Sequence, residues 1–183
     1  MERPLQGAAV RAYAIMHDGK GRCMVRVGIL TASTLGARGE REDTSGQAIR
    51  ELIATIGGTV EAYRVVPDDQ VTIADVLRAW CDESGIDLIL TTGGTGLSPY
   101  DVTPEATRAV IEREVAGLAE AMRLEGLKHT SRAMLSRAVA GIRGQTLIVN
   151  LPGSPKGVRE SLGAILDVLP HALEILQRRP TDH

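Results

Sequence analysis

Apolar positions along this chain fall into short continuous runs separated by stretches of helical periodicity. Residues 24–33, MVRVGILTAS, are β-branched and apolar and end in small polar residues, the pattern of a central strand. Residues 35–43 are charged and contain glycine, and read as a loop. Within residues 44–57, Ile49, Leu52, Ile53 and Ile56 recur at helical spacing. Thr44 or Ser45 stands where a cap belongs, and Gly57 where the helix stops. Residues 59–67 predict a second strand and 72–84 a second amphipathic helix. Residues 86–92, IDLILTT, predict a third strand. Its near-continuous hydrophobicity implies burial on both faces, as a parallel sheet requires.

The second half continues the alternation. Residues 104–126 read as helical, in two pieces divided near Gly117. Residues 131–142 read as a short helix followed by an edge strand, and 145–153 as another buried strand. Residues 155–177 read as a closing helix broken or kinked near Pro170. Strands alternating with helices predict an α/β fold: a mostly parallel sheet with helices on both faces. Residues 1–23 fit the pattern poorly; AVRAYAIM suggests an extra strand and HDGKG a turn. The expected organisation is an extension or extra strand over 1–23, one domain over 24–177 and a tail over 178–183.

Composition narrows the function. The 183 residues make one ordinary domain, and 43% hydrophobic content suffices for a core. No run approaches the roughly 20 apolar residues a bilayer span needs. The first ten residues, MERPLQGAAV, lack the pattern of a secretory signal, so the expected location is the cytoplasm. The net charge of −2 gives no electrostatic case for nucleic acid, and 2% aromatics with no Phe leave few platforms for stacking bases. Cys23 and Cys81 are far apart and read as two ordinary thiols. The four histidines share no metal-ligand spacing, and no GxSxG nucleophile turn is present.

Candidate chemistry gathers in two loops that follow buried strands, where sheets of this class bind ligands. The first is TTGGTGLSPYDVTPEA, residues 91–106. Gly93, Gly94 and Gly96 remove side chains where a ligand would press on the main chain. Thr103 then reads as an N-cap, with Pro104 and Glu105 in the first helical turn. The second is NLPGSPKG, residues 150–157, in which Gly153 turns, Ser154 caps and Pro155 begins a helix. Helix N-termini with free N–H groups accept anions, so two of them suit a ligand with phosphates. Neither loop is a GxGxxG or GxxxxGK[ST] motif. Asp101 lies between glycines and cap, and a carboxylate beside phosphates makes chemical sense with Mg²⁺ between them. Asp68 and Asp69 follow Pro67 and by themselves make an ordinary turn. Spacing alone leaves both loops open between turn and ligand site.

Five segments together carry a resemblance: EDTSG (42–46), VPDDQ (66–70), the 91–106 loop, SRAVAGI (136–142) and the 150–157 loop. In order and spacing, from about residue 24 to residue 176, they resemble the molybdopterin-binding family of molybdenum-cofactor biosynthesis, its stand-alone adenylyltransferases above all. The resemblance implies a three-layer α/β/α sandwich, assembled as a trimer or in some relatives a hexamer. It implies adenylyl transfer from Mg-ATP to the terminal phosphate of molybdopterin, with pyrophosphate released before molybdate insertion. The family's two essential aspartates fall on Asp68 and Asp101. Asp101 would hold Mg²⁺, with Asp68 as second ligand or as orienter of a metal-bound water. The phosphate- and pterin-binding loops fall on Thr92, Gly93, Gly94, Thr95, Gly96 and Ser98, and on Asn150, Pro152, Gly153, Ser154, Pro155 and Lys156. The implied partners are the two substrates and an insertase that receives the product, with no nucleic acid and no membrane. Two features pull apart. EDTSG, after a first strand lacking the terminal Ser-Asp of the adenylyltransferases, leans toward a sister subgroup that includes inactive members. SPYDVTPEA keeps the Asp-x-Thr-Pro-Glu-Ala pattern of active enzymes. A non-catalytic molybdopterin carrier with the same pocket is the alternative.

Overall fold

The computed structural model describes residues 24–177; the expected extra strand in 1–23 and the tail over 178–183 lie outside them. Its elements run β1 (Val25–Ala32), α1 (Thr34–Ala37), α2 (Thr44–Ala54), β2 (Gly58–Val66), α3 (Gln70–Asp82), β3 (Leu88–Thr92), α4 (Thr103–Arg108), β4 (Arg113–Glu114), α5 (Ala116–Leu127), a 3₁₀ turn (Ser131–Leu135), β5 (Ala140–Arg143), β6 (Thr146–Leu151), α6 (Pro155–Gly163) and α7 (Leu169–Gln177). The six strands form one sheet in the order β2-β1-β3-β6-β5-β4. The first four are mutually parallel, and β5 and β4 continue the sheet antiparallel to their inner neighbours.

Alternation along the inner strands sorts the core into two layers. Val27 and Ile29 of β1, Leu88 and Leu90 of β3, and Leu147 and Val149 of β6 pack with α2, α5, α6 and α7. Leu30, Ile89 and Ile148 point the other way, against Ile73 and Leu77 of α3 and Ala106 of α4. Each of these side chains is buried, the Val, Leu and Ile ones contributing about 2 kcal/mol of transfer free energy apiece. The result is the expected three-layer α/β/α sandwich. Continuous hydrophobicity in 86–92 arises because β3 is central and covered on both faces.

From β1 the chain steps outward to β2 through α2 on one face. It returns past β1 to β3 through α3 on the other. Strand order therefore reverses between β1 and β3, and a crevice opens outside their carboxyl ends.

Several boundaries differ from the sequence expectation. The helix expected over 104–126 is two helices separated by β4, not by a break near Gly117. Arg113 and Glu114 pair with Ile142 and Gly141, so the strand expected at the sheet edge, β5, is interior and β4 is outermost. The closing helix breaks before Pro170, which lies in the first turn of α7, where its missing N–H costs nothing. The stretch expected to be a loop over 35–43 includes the helical turn α1. The cap of α2 is Asp43, not Thr44 or Ser45; its Oδ1 accepts from Gly46 N at 2.8 Å.

Candidate functional site

The crevice at the sheet's switch point holds a cavity of about 490 Å³. It is lined from four strand ends: Thr31–Ser33 after β1, Asp68 after β2, Thr92–Gly94 after β3 and Gly153–Pro155 after β6. Arg41, Glu42 and Asp43, ahead of α2, close its side.

Asp68 is placed by a latch between two loops. Its Oδ2 accepts from the backbone N–H and the hydroxyl of Thr34, at 2.9 and 2.8 Å, and its own N–H donates back to Thr34 Oγ1 at 3.1 Å. The other carboxylate oxygen faces the glycine loop: a Cβ at Gly94 would lie 3.6 Å from Asp68 Oδ1. Asp69 caps α3 through Thr72, whose hydroxyl and N–H hold its carboxyl below the ordinary carboxylate range. The two adjacent aspartates thus have separate duties.

The two glycine-containing loops lie side by side. Gly93 has φ +92°, and a Cβ there would come within 2.2 Å of the Ala32 carbonyl oxygen, so only glycine fits. Across from it, a Cβ at Gly153 would stand 3.2 Å from Gly93 Cα. The carbonyls of both loops are used internally. Gly93 O accepts from Thr103 Oγ1 at 2.9 Å and Gly94 O from Thr103 N at 3.1 Å. Pro152 O accepts from Thr92 Oγ1 at 2.7 Å, and Gly153 O from Ser45 Oγ at 2.9 Å. The N–H groups of Gly94, Thr95, Gly96, Gly153 and Ser154 donate to no acceptor among the described residues. Ser154 caps α6, accepting from Gly157 N at 3.1 Å, and Pro155 follows, so a helix N-terminus also faces the cavity. An arrangement of donors without acceptors is suited to an anion.

Thr103 is not the cap of α4. The N-cap is Val102, without a side-chain hydrogen bond, because the Thr103 hydroxyl is spent on Gly93 O.

The comparisons with known proteins agree with this geometry. The family described as "Probable molybdopterin binding domain" matches residues 28–171. The chain belongs to the molybdopterin-binding domain family. It is 40% identical to the molybdopterin adenylyltransferase of Helicobacter pylori (strain J99), over 83% of this chain and 88% of that one. It is 44% identical to the molybdenum cofactor synthesis protein cinnamon of Drosophila melanogaster over 83% of this chain, but spans only 26% of cinnamon's length. The crystal structure of the molybdopterin biosynthesis enzyme MoaB from Thermus thermophilus superposes with a TM-score of 0.81 at 62% identity, covering 86% of this chain and 99% of that one.

In this molybdopterin-binding domain, Asp68, Thr92, Gly93, Gly94, Gly153, Ser154 and Pro155 come together in the one cavity. Thr95, Gly96, Pro152 and Lys156 line a second cavity of about 320 Å³ on the far side of the same loops, and Ser154 borders both. Met122, Ala133 and Leu135 give the second cavity an apolar wall. Lys156 is 80% exposed and stands 3.7 Å from Glu160. Three expected residues line neither cavity. Asn150 is fully buried: its amide donates to Thr91 and Thr107 hydroxyls, and its Oδ1 accepts from Val139 N. It braces the ends of β3 and β6 from beneath. Ser98 and Asp101 face each other across a tight turn, Asp101 N donating to Ser98 O and Ser98 N to Asp101 Oδ2, at 2.9 and 2.8 Å.

Asp43 and Arg137 were not singled out by the sequence. Besides capping α2, Asp43 accepts from the hydroxyls of Thr31 and Tyr63 through Oδ2, forming the floor beside α2. Burial, reinforced by the Asp43 carboxylate, pushes the Tyr63 phenol up to about 12, so it stays a donor at neutral pH. An Asp-Thr-Ser-Gly run ahead of helical periodicity was the available signal, since Asp outranks Thr at an N-cap. Arg137 donates to the carbonyls of Gly96 and Asp101 and to the carboxylate of Glu105. It is 41 residues from Gly96, and local pattern holds no trace of that contact.

Proposed function

We propose that this protein is a molybdopterin adenylyltransferase of molybdenum-cofactor biosynthesis. The observation that carries this reading is the pair of loops at the sheet's switch point, whose residues with unpaired N–H groups, Gly94, Gly153 and Ser154, line one cavity with Asp68. Relatives carrying that activity in their names match most of the chain. A terminal-phosphate oxygen of molybdopterin attacks the α-phosphorus of ATP, the bond to the β-phosphate oxygen breaks, and pyrophosphate leaves. The phosphate is already a nucleophile at neutral pH, so the protein's work is positioning and charge stabilisation. N–H groups of Gly94–Gly96 and of Gly153 and Ser154 hold phosphate oxygens, and the helix dipole of α6 adds to their field. The polar cavity, with Glu42 and Asp43 able to accept from ribose hydroxyls, takes the nucleotide. The apolar-walled cavity beyond Ser154 takes the flat pterin, leaving the terminal phosphate at the wall both share.

The donor set fits Mg²⁺. No group of three or more His, Cys, Asp and Glu among the described residues would hold a metal alone. Mg²⁺ typically takes one or two carboxylates and fills its remaining positions with substrate phosphates and water. Asp68 has Oδ2 satisfied by Thr34 and Oδ1 turned toward the glycine loop; Asp101 has Oδ2 satisfied by Ser98 and Oδ1 left over. These two residues would hold the ion, whose charge offsets that of the polyphosphate.

A carrier without catalysis is favoured by one observation: Asp101 lines neither cavity and turns its carboxylate into its own turn. Turnover decides. The purified protein is mixed with molybdopterin and Mg-ATP, and adenylylated molybdopterin and pyrophosphate are followed beside Asp68→Asn and Asp101→Ala. The enzyme reading expects product from wild type and a loss of about 100-fold or more from either variant, at nearly unchanged pterin affinity. Pterin binding without product moves the protein to the carrier class, and Asp101→Ala at wild-type rate sinks the metal assignment.

The same reading includes a cytoplasmic enzyme assembled as a trimer and passing its product to an insertase. No helix of the described residues is long and apolar enough to cross a membrane. Leu124, Leu127, Met134 and Leu135 leave apolar surface exposed around α5 and the 3₁₀ turn, which suits an interface between copies. Sedimentation of a single monomer species at micromolar concentration would rule out the trimer.

A further inference from the structure

Arg137 makes four hydrogen bonds to one loop and the helix that follows it. Its N–H donates to Thr95 O at 3.0 Å and its Nε to Gly96 O at 2.6 Å; Nη2 donates to Asp101 O and Nη1 to Glu105 Oε1. The acceptors bracket residues 95–101, two where the loop leaves the glycines and one where it turns toward α4. Between them Leu97, Ser98, Pro99 and Tyr100 are exposed, and the turn's own bonds join only Ser98, Tyr100 and Asp101. Acceptors in three directions match the fixed fork of a guanidinium and not the point charge of an ammonium. Glu105 holds the fork in turn, with Oε1 on Arg137 and a buried Oε2 that has no hydrogen-bond partner among the described residues.

We propose that Arg137 is a positioning residue for the transfer. It fixes Asp101 relative to the Thr95 and Gly96 N–H groups without touching the reacting atoms. This rests on the adenylyltransferase reading. Arg137 and Glu105 side chains are 33% and 39% exposed, so their ion pair adds little to folding stability. Loss of Arg137 therefore acts first on the loop's geometry.

The test is Arg137→Lys, which keeps the charge and loses the fork. Its kcat for adenylylation should fall about 100-fold, the size a displacement near 1 Å costs. Directly measured molybdopterin affinity should stay within about 3-fold, with a wild-type-like melting transition. Amide hydrogen exchange over residues 96–101 should quicken about 10-fold, with the rest of the sheet unchanged. A wild-type kcat in Arg137→Lys, or a loss residing wholly in molybdopterin affinity, overturns the proposal. Should that variant not fold, Glu105→Ala leaves the carbonyl contacts in place and frees Nη1. Its kcat should fall about 10-fold at constant molybdopterin affinity, and an unchanged kcat overturns the proposal equally. A wild-type protein that makes no adenylylated product defeats the reading of function instead. Exchange over 96–101 then decides alone: unchanged rates in Arg137→Lys refute a loop held by Arg137.

Discussion

The hydroxyl of Ser45 donates to the carbonyl of Gly153 at 2.9 Å, joining residues 108 apart in sequence. It ties the first turn of α2 to the loop ahead of α6, so the two helices that frame the cavity are fixed to one another at their N-terminal ends. Ser45→Ala removes this tie. The variant should lose about 1 kcal/mol of stability, the worth of one hydrogen bond, visible as a small drop in Tm. Its KM for ATP should rise more than its kcat falls, since the Gly153 and Ser154 N–H groups lose their orientation. Melting curves and steady-state kinetics check both.

Gly93→Ala should be far more damaging. The backbone there is in the left-handed region, and the added methyl would meet the Ala32 carbonyl oxygen of β1 at 2.2 Å. A rigid strand carbonyl cannot yield as a flexible side chain can. The expected cost is about 3 kcal/mol or more, combining backbone strain with displacement of the β3 end from β1. Urea unfolding measures it, and a variant as stable as wild type would show that the loop takes another path.

The ion pair of Asp82 with Arg143 predicts a pH effect. Arg143 Nε and Nη2 reach both Asp82 oxygens, at 2.9 and 2.8 Å, joining the end of α3 to β5. The hydrogen bond and charge of Arg143 hold the Asp82 carboxyl below its ordinary range. A depressed folded-state pKa contributes stability that is present above the unfolded pKa, about 4, and lost as pH falls through the folded value. Asp82→Asn should therefore melt slightly below wild type at pH 7, and the gap should close as pH drops below about 4. The effect is small because the side chain is half exposed. A gap that persists at pH 2 would assign the difference to packing.

Cys81 should be inert in the native protein. Burial pushes its thiol up to about 12, leaving almost no thiolate at neutral pH. Iodoacetamide at pH 7.5 should leave the peptide containing Cys81 unmodified by mass spectrometry until denaturant is added. Rapid native alkylation at Cys81 would contradict the packing of α3.

The sheet was legible because central parallel strands carry their burial in the sequence: Leu88, Ile89 and Leu90 are apolar without a break since helices cover both faces. The two loops after β3 and β6 were legible for a related reason, as glycines and a proline in the first helical turn mark where a strand end turns into a helix. β4 was not. Arg113 and Glu114 are exposed and held by backbone pairing alone, so no side-chain periodicity announces them. Caps were misplaced where a hydroxyl had another partner: Thr103 serves Gly93 in its own loop and Ser45 serves Gly153 across the domain, so Asp43 caps α2 and α4 starts at Val102 without a side-chain cap. Asn150 stands next to the second loop in sequence, yet the pleat turns its side chain into the core between Thr91 and Thr107. Proximity along the chain could not tell bracing from binding.

Gly93, Gly94, Pro152 and Gly153 all turn their carbonyl oxygens inward, to hydroxyls and an amide of the domain itself. What they show the outside is one-sided. A neutral polar molecule, which needs to give hydrogen bonds as well as take them, finds half its partners missing at this rim. An anion finds none missing. The loops thus sort visitors by the sign of their charge before shape is consulted, and they do so with main chain alone.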